Sequence, residues 1–214
     1  PYLMNDHQEL VWALSEGLRL VISDARLLPL LGRDNHQDFV GLLEAVRSLD
    51  AVSDDLDTYI GCFSEHARDD VDGVLSMWRA YGGNGGGAAI VFDTEKISEI
   101  KEDSLIIAPV AYATTEERLC WIERLIDKLV ASMSRAPVSP DQARDYAWNF
   151  YSRLRMFSLF TKHVGFREEA EWRVVYDPKR ASGALSRCLS YAVTAKGIEP
   201  KFKLPMDGSI DQSL

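Results

Sequence analysis

The sequence predicts an α+β fold in which small mixed or antiparallel sheets pack with about five helices. Two observations carry that expectation. Apolar residues recur at spacings of three and four over several long stretches, the mark of helices with one buried face. Between them lie short runs rich in β-branched and aromatic residues, bounded by Gly, Pro, Asp and Ser, which read as five or six short strands. Repeats, heptads and long disordered tracts are absent.

Along the chain, His7 to Leu31 is helical in pattern, with Leu10, Val11, Leu14, Leu18, Val21 and Ile22 in phase and Asn5 or Asp6 placed to cap the start. Gly32 and Asn35 interrupt it, and a second helix runs from about Gln37 to Leu49. An acidic link leads into a strand from Thr58 to Phe63, whose polar end Ser64-Glu65-His66 belongs at a sheet rim. A short helix over about 70–81 carries Val74, Leu75, Met77, Trp78 and Tyr81, a face that reads as core. It ends in the glycine run Gly82 to Gly87, then a strand from Ala88 to Phe92. A third strand, Leu105 to Tyr112, holds Pro109 and so suits an edge or a bulge. Two long helices follow, about 115–134 with Thr114 or Thr115 as cap, and from Pro140 to about His163. The strand Glu171 to Tyr176 and two weaker ones, 189–194 and 201–204, complete the set.

A chain of 214 residues fits one ordinary domain, 1–214, large enough for a real core. The opening Pro1-Tyr2-Leu3-Met4 reads as mid-domain loop, so an N-terminal piece is expected upstream. With 46% apolar and 27% charged residues, the composition is that of a soluble globular protein. No apolar run approaches the ~20 residues that cross a bilayer, which argues against a membrane span. The formal charge of −9 argues against a general nucleic-acid coat, which needs a basic surface. Cys62, Cys120 and Cys188 are far apart and form no C-x-x-C pair, which points to a reducing cytoplasm and no structural zinc. The four histidines show no metal-ligand spacing. The apolar helix over 139–163 would serve a homodimer or a core equally well.

The densest chemistry lies between Lys162 and Tyr176. Glu169 and Glu171 are two apart, so in extended chain they share a face, and two carboxylates side by side raise at least one pKa unless a cation or ligand sits between them. The plainer alternative is a solvated strand end with Arg167 and Arg173 as partners. The glycine run lies between helix and strand, the reverse of a phosphate-gripping loop, and lacks the following Lys and Ser or Thr. A helix C-cap with a turn behind it explains it more simply than a ligand-facing loop. Cys62-Phe63-Ser64-Glu65 sets a thiol, a hydroxyl and a carboxylate at a strand end without nucleophile-elbow context, and one of Cys62 and Phe63 is expected in the core. Asn5-Asp6-His7-Gln8-Glu9 needs no function beyond helix-entry capping.

Four motifs in order resemble one bacterial group. They are Met4-Asn5-Asp6 with Glu9, Cys62-Phe63-Ser64-Glu65, Met77-Trp78-x-x-Tyr81 leading through glycines to Ile90-Val91-Phe92-Asp93, and Lys162 to Phe166 with Glu169-x-Glu171-Trp172-Arg173. The group is domain of unknown function 2971, and the resemblance spans residues 2 to about 204. Its members carry a further strand and helix upstream, and often Asp-Pro where this chain has Asp6-His7. The glycine run is longer than is usual there. The family's layout is similar to a remote ADP-ribosyltransferase, a split-sheet fold that uses NAD. That resemblance implies Glu171 as the carboxylate on the ribose, Glu169 as general base and Ser64 as a hydrogen-bonding brace. Phe63, Trp78, Tyr81, Asn5 and Asp6 would line the nucleotide site. Two other functions fit the same residues. A non-catalytic sensor or interaction module would close ion pairs on Glu169 and Glu171, and a Mg²⁺-dependent nuclease or phosphodiesterase would use Asp6, Glu9, Glu65 and Glu171.

Overall fold

The structure, a computed structural model, describes residues 7–52, 58–67, 69–92, 105–177, 188–194 and 197–203. It is α+β, and the chain divides into two compact units, each assembled from separated stretches. One unit takes residues 57–109 and 168–214, the other residues 2–56 and 110–167.

The second of these is mainly helical. It holds α1 (His7–Ile22), α2 (Leu27–Leu31), α3 (Arg33–Val52), α5 (Thr115–Met133) and α6 (Pro140–Phe160). The apolar faces read from periodicity converge here: Leu18 and Val21 of α1, Phe39 and Leu43 of α3, Ile122 and Ile126 of α5, and Phe150 and Leu154 of α6 form one buried cluster. Gly17 lets α1 and α6 close on each other, because a Cβ there would lie 2.3 Å from Leu154 Cδ1. The expected single helix over 7–31 is two. Around Asp24 the chain turns, with its carboxylate accepting from the Arg26 backbone N–H at 2.9 Å and so competing with the helical ladder. Both long helices start on reciprocal capping boxes, Thr114 with Glu117 and Ser139 with Gln142, and Pro140 takes the first turn of α6.

α6 ends sooner than the apolar pattern suggests. Thr161 turns extended and begins β4 (Thr161–His163), which pairs in parallel with β3 (Ala111–Ala113). The strand expected over 105–112 is therefore divided, with β2 (Leu105–Pro109) in one unit and β3 in the other. Pro109, which has no N–H to donate, closes β2. A buried ion pair lies in the helical unit: Arg118, 2% exposed, donates from Nη1 to Glu9 Oε2 at 2.6 Å and sits over the Trp12 ring. Burial lowers the Arg118 pKa from its ordinary value, against the pull of Glu9.

The other unit is built on a three-stranded antiparallel sheet in the order β1 (Tyr59–Ser64), β5 (Glu171–Tyr176), β2. β2 lies at the edge, as Pro109 requires. β6 (Leu189–Thr194) and β7 (Gly197–Phe202) pair as an antiparallel two-stranded ribbon. Phe202 stacks on Tyr176 at 4.0 Å, with Tyr59 tilted against both, which ties that ribbon to the sheet. The short helix is α4 (Leu75–Tyr81), five residues shorter at its start than the pattern suggests. The strand expected over Ala88–Phe92 does not form. Those residues are irregular, and Ile90 and Val91 stay 78% and 73% exposed, with no strand paired to them among the described residues.

Candidate functional site

β5 is the central strand, hydrogen-bonded on both sides, and its first residue is Glu171. The register places Ser64 opposite Glu171, Phe63 opposite Trp172 and Cys62 opposite Arg173. β2 reaches only as far as Trp172, opposite Pro109. Glu171, Arg173 and Val175 alternate onto one face and are all buried. On that face Arg173 Nε donates to Glu171 Oε1 at 2.8 Å and Nη2 donates to Oε2 at 3.0 Å, a bidentate pair with 6% and 1% exposure for Glu171 and Arg173.

The residues between α6 and β5 follow a different course from the one the sequence suggests. Val164–Glu169 form 3-10 turns, and Ala170 adopts φ +42°, a left-handed conformation that L-residues other than Gly seldom hold. That bend separates Glu169 from the extended strand, so Glu169 and Glu171 do not share a strand face. Ser64 Oγ donates to the Glu169 carbonyl at 2.8 Å, and the Glu65 N–H donates to the Ala170 carbonyl at 2.8 Å. The bend is thus fixed to the end of β1 by two hydrogen bonds. Trp172 Nε1 donates to Glu65 Oε2 at 2.7 Å, so Glu65 is committed to an indole.

Of the expected site residues, the structure brings Ser64, Glu169 and Glu171 together. Phe63 is partly exposed and meets Phe92 edge-on at 5.4 Å; Cys62 is exposed, so neither joins the core. Asn5 and Asp6 lie outside the described residues. Among the four acidic residues suited to Mg²⁺, Glu9 lies in the helical unit on Arg118, while Glu65 and Glu171 are engaged as above. No three His, Cys, Asp or Glu side chains group as metal ligands among the described residues.

α4 carries no buried residue, which corrects its reading as a core face. Trp78 is held by donation from Nε1 to the Asp72 carbonyl at 2.6 Å, and Tyr81 is exposed. The helix stops at Gly82, whose N–H bonds the Trp78 carbonyl at 2.8 Å; a Cβ at Gly82 would lie 2.4 Å from that oxygen. One concavity of about 590 Å³ is lined by Val74, Leu75, Ser76, Arg79, Ala80 and Glu168. A second, of about 390 Å³, is lined by Trp78, Arg79, Gly82 and Gly85. Both are shallow and open to solvent rather than enclosed. Arg79 and Glu168 carry no signal in the sequence that separates them from solvated charges. Arg79 merely follows Trp78 and precedes the glycines, and Glu168 precedes Glu169.

No curated protein and no solved structure matches the chain. Residues 77–174, from α4 into β5, match the model of the family described as "Protein of unknown function (DUF2971)", the family that the chain's motifs resemble.

Proposed function

We propose that the sheet unit is an ADP-ribosyltransferase-like enzyme that takes NAD as its substrate. The observation that carries the reading is the convergence of Ser64 with Glu169 and Glu171: segments more than 100 residues apart meet in register at one strand end. Cleaving the nicotinamide–ribose bond develops positive charge on the ribose, and a fixed carboxylate at that point stabilises it. Glu171 supplies the carboxylate, and its bidentate partner Arg173 holds it in orientation. Glu169, on the bend beside it, takes the proton of the acceptor nucleophile as general base. Ser64 braces the bend through the Glu169 carbonyl. Phe63, Trp78 and Tyr81 provide aromatic surface for the nicotinamide or adenine ring, beside the shallow concavities along α4. A cytoplasmic location belongs to the same proposal.

A second reading is favoured by the depth of the Glu171–Arg173 pair. A carboxylate this buried and doubly engaged is also what a non-catalytic sensor or interaction module would use to lock its sheet.

Nicotinamide release from NAD by the full chain separates the two, with thermal melting of each variant alongside. Under the transferase reading Glu171→Gln loses at least ~100-fold in turnover, within the range attributed to one lost electrostatic group, and Glu169→Gln a smaller factor. No release by the parent protein, with Glu171→Gln unfolded at the assay temperature, assigns Glu171 to the lock and ends the transferase reading.

A further inference from the structure

Arg79 stands at the junction of the two concavities along α4, and Glu168 lines only the first of them. No side-chain hydrogen bond or ion pair engages either residue among the described residues. An exposed guanidinium and an exposed carboxylate therefore line one shallow concavity without closing on each other. The remaining walls of the first are Val74, Leu75 and Ala80 with Ser76, whose buried hydroxyl has no hydrogen-bond partner among the described residues, and those of the second are aromatic with glycine, where Trp78 is pinned by Asp72 and Gly82 and Gly85 add backbone.

We propose that this shallow two-part hollow binds a nucleoside diphosphate sugar of the ADP-ribose kind, with Arg79 on the phosphates at the junction, Glu168 accepting from hydroxyls of the distal ribose in the first part, and the base lying against Trp78 in the second. Each assignment follows from chemistry. A guanidinium presents paired N–H donors that match phosphate oxygens. A carboxylate repels phosphate but accepts from two vicinal hydroxyls, so it belongs on the sugar side, away from the junction. A flat indole edge beside bare backbone admits a planar ring without side-chain obstruction. The choice of a ribose-bearing diphosphate rests on the transferase reading, whereas the location of the cleft does not.

The test is calorimetric titration of the full chain with ADP-ribose, adenosine and inorganic pyrophosphate. ADP-ribose is expected to bind tightest, because it alone occupies all three positions. Arg79→Gln should weaken it about 10- to 100-fold, the range for a charge-assisted hydrogen bond, and Arg79→Lys should recover part of that loss. Glu168→Gln should weaken ADP-ribose and leave pyrophosphate unchanged. Arg79 is exposed, so these variants should melt with the parent protein. Equal ADP-ribose affinity in the parent and Arg79→Gln overturns the proposal, as does adenosine binding as tightly as ADP-ribose, or no binding of ADP-ribose at all. Arg79-dependent ADP-ribose binding without NAD cleavage upholds the cleft while the transferase reading fails. NAD cleavage with Arg79-independent binding does the reverse.

Discussion

Glu171 and Arg173 meet edge to edge on the buried face of the central strand, with both carboxylate oxygens engaged at 2.8 and 3.0 Å. Residues two apart on a strand share a face, so the strand itself supplies the alignment. Removing one member of a buried pair leaves the other charge stranded, at a cost of roughly 3–5 kcal/mol. Glu171→Ala is therefore expected to lower unfolding free energy by about that amount in urea titration. The double variant Glu171→Leu/Arg173→Met should recover much of the loss. A single variant as stable as the parent would show that water already solvates the pair.

Ala170 holds φ +42° directly before that pair. A left-handed L-residue costs ~1–2 kcal/mol relative to its right-handed form, and Gly escapes most of that penalty. Ala170→Gly should leave stability unchanged or raise it by up to about 1 kcal/mol. Ala170→Val should lower it, since β-branching worsens the same clash. Equal stability of the Gly and Val variants would show that the bend carries no strain.

The α1–α6 contact makes an opposite demand at Gly17. Alanine is the better helix former by ~1 kcal/mol. Its Cβ, however, would sit 2.3 Å from Leu154 Cδ1 in the buried core. Overpacking costs about 1–3 kcal/mol, so Gly17→Ala is expected to lower the melting temperature despite the propensity gain. Gly17→Ala combined with Leu154→Ala should melt higher than Leu154→Ala alone, because the cavity then receives the methyl group.

The turn between α1 and α2 carries a pH signature. Hydrogen bonds from the Arg26 side chain hold the Asp24 carboxyl below the usual carboxylate range. The folded pKa lies below the unfolded one, so the contribution is full above the unfolded value and is lost as pH falls through the folded one. The stability difference between the parent and Asp24→Asn should therefore shrink from about pH 6 to about pH 2. A pH-independent difference between them would refute the role of the charge.

Much of the fold was legible because burial imposes a period. α1, α3, α5 and α6 each carry apolar residues on one stripe, and the same residues fill the helical core. Thr114 was readable as a cap for the same local reason. What local pattern could not supply was choice of partner. Ile90-Val91-Phe92 has strand chemistry and no strand beside it among the described residues, and Leu105–Ala113 divides because its halves join different sheets. Trp78 and Tyr81 looked like core because aromatic spacing is identical on a helix that packs inward and on one that stays exposed. Glu169 and Glu171 read as sharing one strand face, which the 3-10 turns before β5 undo. The bend at Ala170 was hidden, since alanine signals no left-handed turn. Arg79 and Glu168 gave no warning, because charge on a surface reads alike until a hollow is known beside it.

The backbone passes between the two units three times, at 56/57, 109/110 and 167/168. Any single cut in the gene between the first and last crossings therefore severs both bodies at once. An isolated sheet body would need residues 57–109 spliced directly to 168 onward, and an isolated helical body would need residue 56 joined to 110. Such fusions, rather than simple truncations, are the route to asking which body carries ligand binding by itself.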